Sequence, residues 1–326
     1  MIRIGYGLIG EAALPPGRLF LVTDANVEAA GWPGRLGADF AGRFVLAPGE
    51  ASKNLAQVER LLDAMLEAGI GRDDHVVAVG GGVVGDVAGF AAALLKRGCG
   101  WIAVPTTLLA QADSAVGGKT GVNARQGKNL IGAFHTPALV LIDPETLTTL
   151  PGRELRAGYA EVVKYGLIGD ADFFAWCEAN GAALLAGDRD ARRHAIETCV
   201  RTKTALVAGD ERDLEGRRAL LNFGHSFGHA IETETGMPHG EAVAIGMAMA
   251  FRLSVERGLC PPADAERAIA HLESVGLPTT TDVDPARLEA RMRHDKKGGA
   301  LVLARGVGKA FLDAPPPSHP GESRDP

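Results

Sequence analysis

Between residue 18 and about residue 143 the chain alternates short, unbroken apolar runs with stretches whose apolar residues recur every three or four positions. Residues 18–22, 43–46, 75–79, 101–104 and 139–142 are rich in Val, Ile, Leu and Phe and too short for helices, so they read as buried strands. Between the second and third of these runs, residues 54–68 set Leu55, Val58, Leu61, Leu62, Met65 and Leu66 at helical spacing. Strand and helix in alternation predict a largely parallel sheet. After Pro151 the texture changes: residues 154–168, 171–185, 191–208, 223–235, 241–257 and 263–275 are long Ala-, Leu- and Arg-rich segments of helical period. The expected organisation is an α/β domain over 1–150, an all-helical domain over 151–313, and a tail over 314–326. Three consecutive prolines and almost nothing to bury predict that the tail is disordered.

Composition narrows the class of partner. At 326 residues the chain exceeds the usual single-domain size, and 46% hydrophobic residues suffice for a sizeable core. A net charge of −6 with dispersed basic residues excludes a track for a nucleic-acid backbone. The four cysteines lie far apart with no CxxC pair, which reads as reduced thiols in a cytoplasmic protein. No run of ~18 uncharged apolar residues is available to span a bilayer, and the amino terminus has no signal-like apolar stretch. The expected partner is therefore neither nucleic acid nor membrane.

Three constellations carry candidate chemistry. Gly80, Gly82 and Gly85 satisfy GxGxxG between a strand and a helix, where backbone N–H groups and a helix amino terminus cradle a pyrophosphate. An ordinary dinucleotide fold holds the ribose with an acidic residue about 20 positions further on. None stands between Asp86 and Asp113, so Asp24 and Glu50 upstream are the candidates. The segment 104–135 then embeds Asp113, Lys119, Lys128 and Asn129 among small and apolar residues, an expensive arrangement unless these groups are paired or bind a ligand. Its Gly118-Lys119-Thr120 is not a nucleotide-binding Walker loop, because that spacing requires glycine where Asp113 stands. Finally, a four-residue step puts His225 and His229 on one helical face, and Pro238 and Gly240 place His239 at the mouth of the next helix. Two helical imidazoles do not close a metal site. Glu161, three residues before Lys164 on an otherwise apolar helical stripe, completes a Glu/His/His set that leaves coordination open to substrate, as catalytic zinc requires.

With these residues assembled, the chain resembles the 3-dehydroquinate synthase family, from about Thr23 to Gly308. The motifs are Gly80-Gly81-Gly82-Val83-Val84-Gly85-Asp86, residues 104–120, 127–134, 154–168, 220–232 and 239–246, and Asp295-Lys296-Lys297. The resemblance implies an NAD-binding α/β domain followed by a helical metal-binding domain, in a homodimer. It implies that 3-deoxy-D-arabino-heptulosonate 7-phosphate loses phosphate and closes to 3-dehydroquinate, with NAD used and restored in one turnover. Glu161, His225 and His239 would ligate zinc or cobalt. Asp24, Glu50, Lys53, Gly82, Val83, Val84, Gly85, Asp86, Thr106, Thr107, Lys119, Lys128, Thr146, Leu147, Thr148 and Thr149 would contact NAD, as would Asp113. Asp113, Lys164, Asn222 and His229 are the implied catalytic residues. Lys119, Asn129, Lys203, Arg218 and one of Lys296 and Lys297 would hold the substrate, with Arg97 supplied from the neighbouring subunit.

The chain departs from the family pattern in two places. Members commonly have an extra strand or two before the segment matching Arg3 to Leu8, and the loop 210–218 is about one residue longer, leaving open whether Asp213 or Glu215 takes the acidic role there. The alternative readings are another sugar-phosphate cyclase, such as 2-deoxy-scyllo-inosose synthase, and a metal-dependent polyol dehydrogenase. The dehydrogenase would use an aspartate with histidines and lack the blocks around Lys119 and Lys128.

Overall fold

The computed structural model describes residues 1–11, 13–208, 217–295 and 300–313. Lys296, Lys297, Asp213, Glu215 and the tail 314–326 lie outside the described residues. The chain forms two compact units, one of Met1–Tyr165 with Ala175–Arg218, the other of Gly166–Phe174 with the chain from Ala219 onward.

The first unit contains a six-stranded sheet in the order β1-β8-β5-β4-β2-β3. Its strands are β1 (Ile2–Ile4), β2 (Leu19–Asp24), β3 (Phe40–Leu46), β4 (His75–Gly80), β5 (Gly100–Pro105) and β8 (Leu139–Ile142), and every neighbouring pair is parallel. The central strands are apolar throughout because both faces are covered; Val76, Val77, Val79 and Ile102 are fully buried. Between strands run α1 (Leu8–Glu11), α2 (Ala25–Ala29), α3 (Leu55–Glu67) and α4 (Gly82–Leu94). On α3, Val58, Leu61 and Met65 face the core while Leu55 and Leu66 remain exposed, so the inward stripe is narrower than the sequence pattern. The unit is completed by α5 (Gly152–Gly169) as far as Tyr165, by most of α6 (Ala171–Ala186), and by α7 (Arg189–Val207), capped by Asp188.

Two elements here escaped the periodicity. β1 is three residues long and pairs with β8, too short to leave a pattern. The later part of the segment 104–135 folds as an antiparallel hairpin of β6 (Lys119–Ala124) and β7 (Gly127–Phe134). Its strands lack an apolar run because they approach each other through glycine: Gly121 pairs with Gly132, where a Cβ would stand 2.2 Å from the Thr120 carbonyl oxygen.

The second unit is built on α8 (His225–Thr235), α9 (His239–Glu256), α10 (Pro262–Ser274) and α11 (Pro285–Asp295). The all-helical expectation for this part of the chain missed the antiparallel hairpin β9 (Leu301–Ala304) and β10 (Ala310–Asp313), two four-residue strands. It also missed α11, a charged helix whose buried contact is Leu288. α8 and α9 pack closely, since a Cβ on Gly246 would fall 1.9 Å from the Gly224 carbonyl oxygen. Ile231, Ala242, Ile245 and Leu288 form the core beside that contact. Among the described residues no helix is long and apolar enough to cross a membrane.

Candidate active site

The chain leaves β2 towards β3 on one side of the sheet and leaves β4 towards β5 on the other. In open parallel sheets ligands lodge in the crevice beyond the strand carboxyl ends at such a reversal. Asp24 ends β2 and Gly80 ends β4. The turn after β4 is tight enough that a Cβ on Gly80 would sit 2.5 Å from Val84 Cγ2. Around Gly85, by contrast, nothing lies within 4 Å of the Cβ position. A small cleft, partly open to solvent, borders this turn and is lined by Gly82, Gly85, Asp86, Ser114 and Lys119 among others. α4 begins there without a side-chain cap, so its first N–H groups and positive dipole end suit a phosphate. Val83 is half-buried and Val84 buried on the same turn.

The residues around the turn form a connected set. Lys53 Nζ lies 2.5 Å from Asp86 Oδ2; burial pushes the Asp86 carboxyl above its ordinary range, and the Lys53 ammonium only partly offsets this. Thr106 N–H donates to the Gly80 carbonyl at 3.0 Å, and its buried hydroxyl has no hydrogen-bond partner among the described residues. Thr107 Oγ1 accepts from Ala110 N–H at 3.1 Å. Glu50 accepts from Asn123 Nδ2 at 2.8 Å and stands 3.6 Å from Lys128 Nζ. Asn129, in the left-handed region at φ 55°, donates its N–H to Asn123 Oδ1 at 3.0 Å.

Other predicted cofactor residues have structural partners. Asp24 Oδ1 caps α2 by accepting from the Asn26 and Val27 N–H groups. Thr146, Leu147, Thr148 and Thr149 lie in a 3₁₀ turn after β8. There Thr146 Oγ1 accepts from Gln111 Nε2 at 2.9 Å, Thr149 Oγ1 from Trp32 Nε1 at 2.7 Å, and Thr148 Oγ1 donates to the Glu145 carbonyl. Sequence reasoning passed over Gln111, which is fully buried and also donates to the Pro105 and Asp143 carbonyls, tying the ends of β5 and β8 together. Its signal was an amide inside the apolar run Leu108-Leu109-Ala110-Gln111-Ala112.

A charged cluster lies in the first unit. Asp113 sits in a turn of π-helix, Ala110–Ser114, an element whose extra residue is frequent at functional sites. Lys203 of α7 reaches it at 2.8 Å through Oδ1 and 2.7 Å through the main-chain carbonyl. Lys164 of α5 stands 3.9 Å from Oδ2 and pairs closely with Glu161 one turn earlier. Glu161 and Lys164 side chains are each 1% exposed. Burial would raise the Asp113 carboxyl, but Lys164 and then Lys203 outweigh it and hold it at about 2. Burial works against both ammonium groups; for Lys164 the Asp113 and Glu161 charges outweigh it and the group ends raised, while for Lys203 burial, with the like charge of Lys164, outweighs Asp113 and the weaker pull of Glu161 and the group ends lowered. Tyr165, which the sequence reading did not single out, donates its hydroxyl to Asp113 Oδ1 at 2.5 Å.

In the second unit the rings of His225, His229 and His239 stand 5.2–5.8 Å apart between centroids. His225 Nδ1 lies 3.2 Å from the Phe223 carbonyl oxygen, and His239 Nδ1 lies 3.1 Å from Glu232 Oε2. An acceptor at each Nδ1 favours the tautomer protonated there, the one in which the lone pair is on Nε2. Asn222 is exposed at the end of the 3₁₀ turn Arg217–Asn222. Arg218, in that turn, is 3% exposed, and its Nε and Nη2 have no partner among the described residues. Arg97 is exposed at φ 69° in the turn after α4.

A family model for the 3-dehydroquinate synthase N-terminal region matches residues 43–157, and one for the C-terminal region matches residues 158–298. The chain belongs to the 3-dehydroquinate synthase family. The 3-dehydroquinate synthase of Rhodospirillum rubrum is 53% identical over 95% of this chain and 87% of its own length, and that of Caulobacter vibrioides is 52% identical over 95% and 91%. Among solved structures, 2-epi-5-epi-valiolone synthase of Streptomyces hygroscopicus, with NAD⁺ and Zn²⁺ bound, superposes with a TM-score of 0.90 at 32% identity over 97% of this chain and 92% of its own. A 2-deoxy-scyllo-inosose synthase complexed with carbaglucose-6-phosphate, NAD⁺ and Co²⁺ gives 0.83 at 30% identity over 95% and 90%. An iron-containing alcohol dehydrogenase shares the fold, at 0.70 with 16% identity over 95% of this chain and 93% of its own.

Proposed function

We propose that this chain converts 3-deoxy-D-arabino-heptulosonate 7-phosphate to 3-dehydroquinate and phosphate, with NAD and a divalent cation, zinc or cobalt, as cofactors. The observation that carries the reading is about 50% identity, over nearly the whole length, to 3-dehydroquinate synthases, against 30–32% to cyclases that make other products.

The donor chemistry fits a cation held by Glu161, His225 and His239. A carboxylate offers about four lone-pair sites, so pairing with Lys164 does not exhaust Glu161. Both imidazoles have Nδ1 directed at an acceptor, leaving Nε2 for coordination. The NAD pyrophosphate belongs at the amino terminus of α4, against Gly82, Val83, Val84, Gly85 and Asp86, with Thr106 supplying a hydroxyl that has no protein partner among the described residues. When bound, NAD and the cation supply hydride acceptance and polarisation of a substrate oxygen.

The chain's own residues do the rest. Arg218 offers buried, unsatisfied N–H donors to the substrate carboxylate, the group for which a planar guanidinium is suited. Lys119, Asn129, His229 and one of Lys296 and Lys297 grip the phosphate. Lys203, Asp113, Lys164 and Asn222 align the sugar hydroxyls, and the pairing of Lys164 and Lys203 with Asp113 holds those three in place before substrate arrives. The enzyme is a cytoplasmic homodimer in which Arg97 completes the site of the neighbouring subunit.

Purified protein with divalent metal and catalytic NAD should release inorganic phosphate from the heptulosonate phosphate without net NADH. Phosphate-eliminating turnover of glucose 6-phosphate in its place would favour the cyclitol reading, and steady NADH from a simple polyol the dehydrogenase. Glu161→Ala and His225→Ala should each lose tightly bound metal while staying folded; stoichiometric metal in both would overturn the ligand assignment.

A further inference from the structure

We infer that Glu232 is the positioning residue for the metal ligand His239, and that it makes His239 the stronger donor of the two imidazoles; this rests on the cation reading proposed above. Glu232 Oε2 lies 3.1 Å from His239 Nδ1, and the carboxylate side chain is 9% exposed. A carboxylate so far removed from water is costly unless it accepts hydrogen bonds, and the imidazole is a partner of the right chemistry.

The arrangement follows from the helix pair. Glu232 stands seven residues after His225 and three after His229, so all three side chains lie along one stripe of α8. α9 begins at His239, and the glycine contact between Gly224 and Gly246 brings the two helices close enough for that stripe to meet the first residue of α9. The two ligands therefore receive unlike support. His225 Nδ1 faces a neutral backbone carbonyl, that of Phe223, whereas His239 Nδ1 faces an anion. An anionic acceptor fixes the ring with the proton on Nδ1, orients Nε2, and raises its basicity towards a cation.

The alternative is a simple clasp between α8 and α9, and metal affinity separates the two. Removing an outer carboxylate of this kind weakens metal binding by about 10- to 100-fold. Zinc and cobalt affinities should be measured by chelator competition for the wild type, Glu232→Ala and Glu232→Gln, with the unfolding midpoint of each metal-free protein. The expected result is a loss in that range for Glu232→Ala with an unchanged metal-free midpoint, partial recovery in Glu232→Gln, whose amide oxygen still accepts from Nδ1, and a shifted visible spectrum of the Co²⁺ form in the alanine variant. Wild-type affinity and spectrum in Glu232→Ala would overturn the inference while leaving the metal reading intact. A wild type that takes up no stoichiometric metal would overturn both. Should Glu232→Ala not fold, nitrogen chemical shifts of the neutral imidazoles in the wild type still decide, since a proton on Nε2 of His239 contradicts the assignment.

Discussion

The hydroxyl of Tyr165 lies 2.5 Å from Oδ1 of Asp113, on the same oxygen that Lys203 approaches at 2.8 Å. Burial keeps the phenol protonated, raised further by the Asp113 charge, so it donates to the carboxylate at every pH of interest. Tyr165→Phe removes one donor from a charged acceptor without opening a cavity. Folding stability should fall by about 1.5–3 kcal/mol, the range for a hydrogen bond to a charged group. Denaturant unfolding of the two proteins measures it, and a difference below a few tenths would mean that the contact contributes nothing net.

Asp113 also makes stability depend on pH. Its folded value is about 2, against about 3.9 for an unfolded aspartate, so the unfolded chain binds the proton first as pH falls. The contribution, about 2–3 kcal/mol, is complete above pH ~4 and is lost as pH drops through about 2. Wild type and Asp113→Asn should therefore differ most at neutral pH and converge in acid. A gap that stays constant from pH 6 to pH 2 would contradict the assignment.

Lys53 and Asp86 test a buried ion pair beside the glycine turn. The Lys53 side chain is 7% exposed and that of Asp86 19%, and burial already holds the Asp86 carboxyl high. Lys53→Ala leaves a buried carboxylate with its counter-charge removed, at a cost of about 3–5 kcal/mol. Adding Asp86→Asn should recover part of that loss, which a double-mutant cycle on unfolding free energies reads directly. Additive losses would show that the two side chains do not depend on each other.

Two glycines of the second unit separate close packing from backbone conformation. An alanine at Gly246 would set its Cβ 1.9 Å from the Gly224 carbonyl oxygen, so α8 and α9 must part, at a cost of about 3 kcal/mol or more. At Gly236, with φ 69° and nothing within 4 Å, alanine meets only the left-handed backbone penalty of about 1–2 kcal/mol. Thermal unfolding should rank Gly246→Ala well below Gly236→Ala, and the reverse order would refute the packing argument.

Apolar runs and helical periods located the buried strands and the long helices, because a strand covered on both faces and an amphipathic helix each impose a local pattern on the chain. Such patterns fade where burial is slight or glycine replaces side-chain packing, which is why β1, the β6–β7 hairpin, the β9–β10 hairpin and α11 were invisible. Unusual residue types in costly surroundings marked Asp113, Glu161, Lys164 and the three histidines without any coordinates. Which group touches which was decided by the fold. Tyr165 and Lys203 meet on Asp113 from positions 52 and 90 residues away, and Gln111 ties together strands that the sequence treats as unrelated. Pairing over such distances depends on the register of the sheet and the direction in which each helix turns its side chains, and no local pattern encodes either.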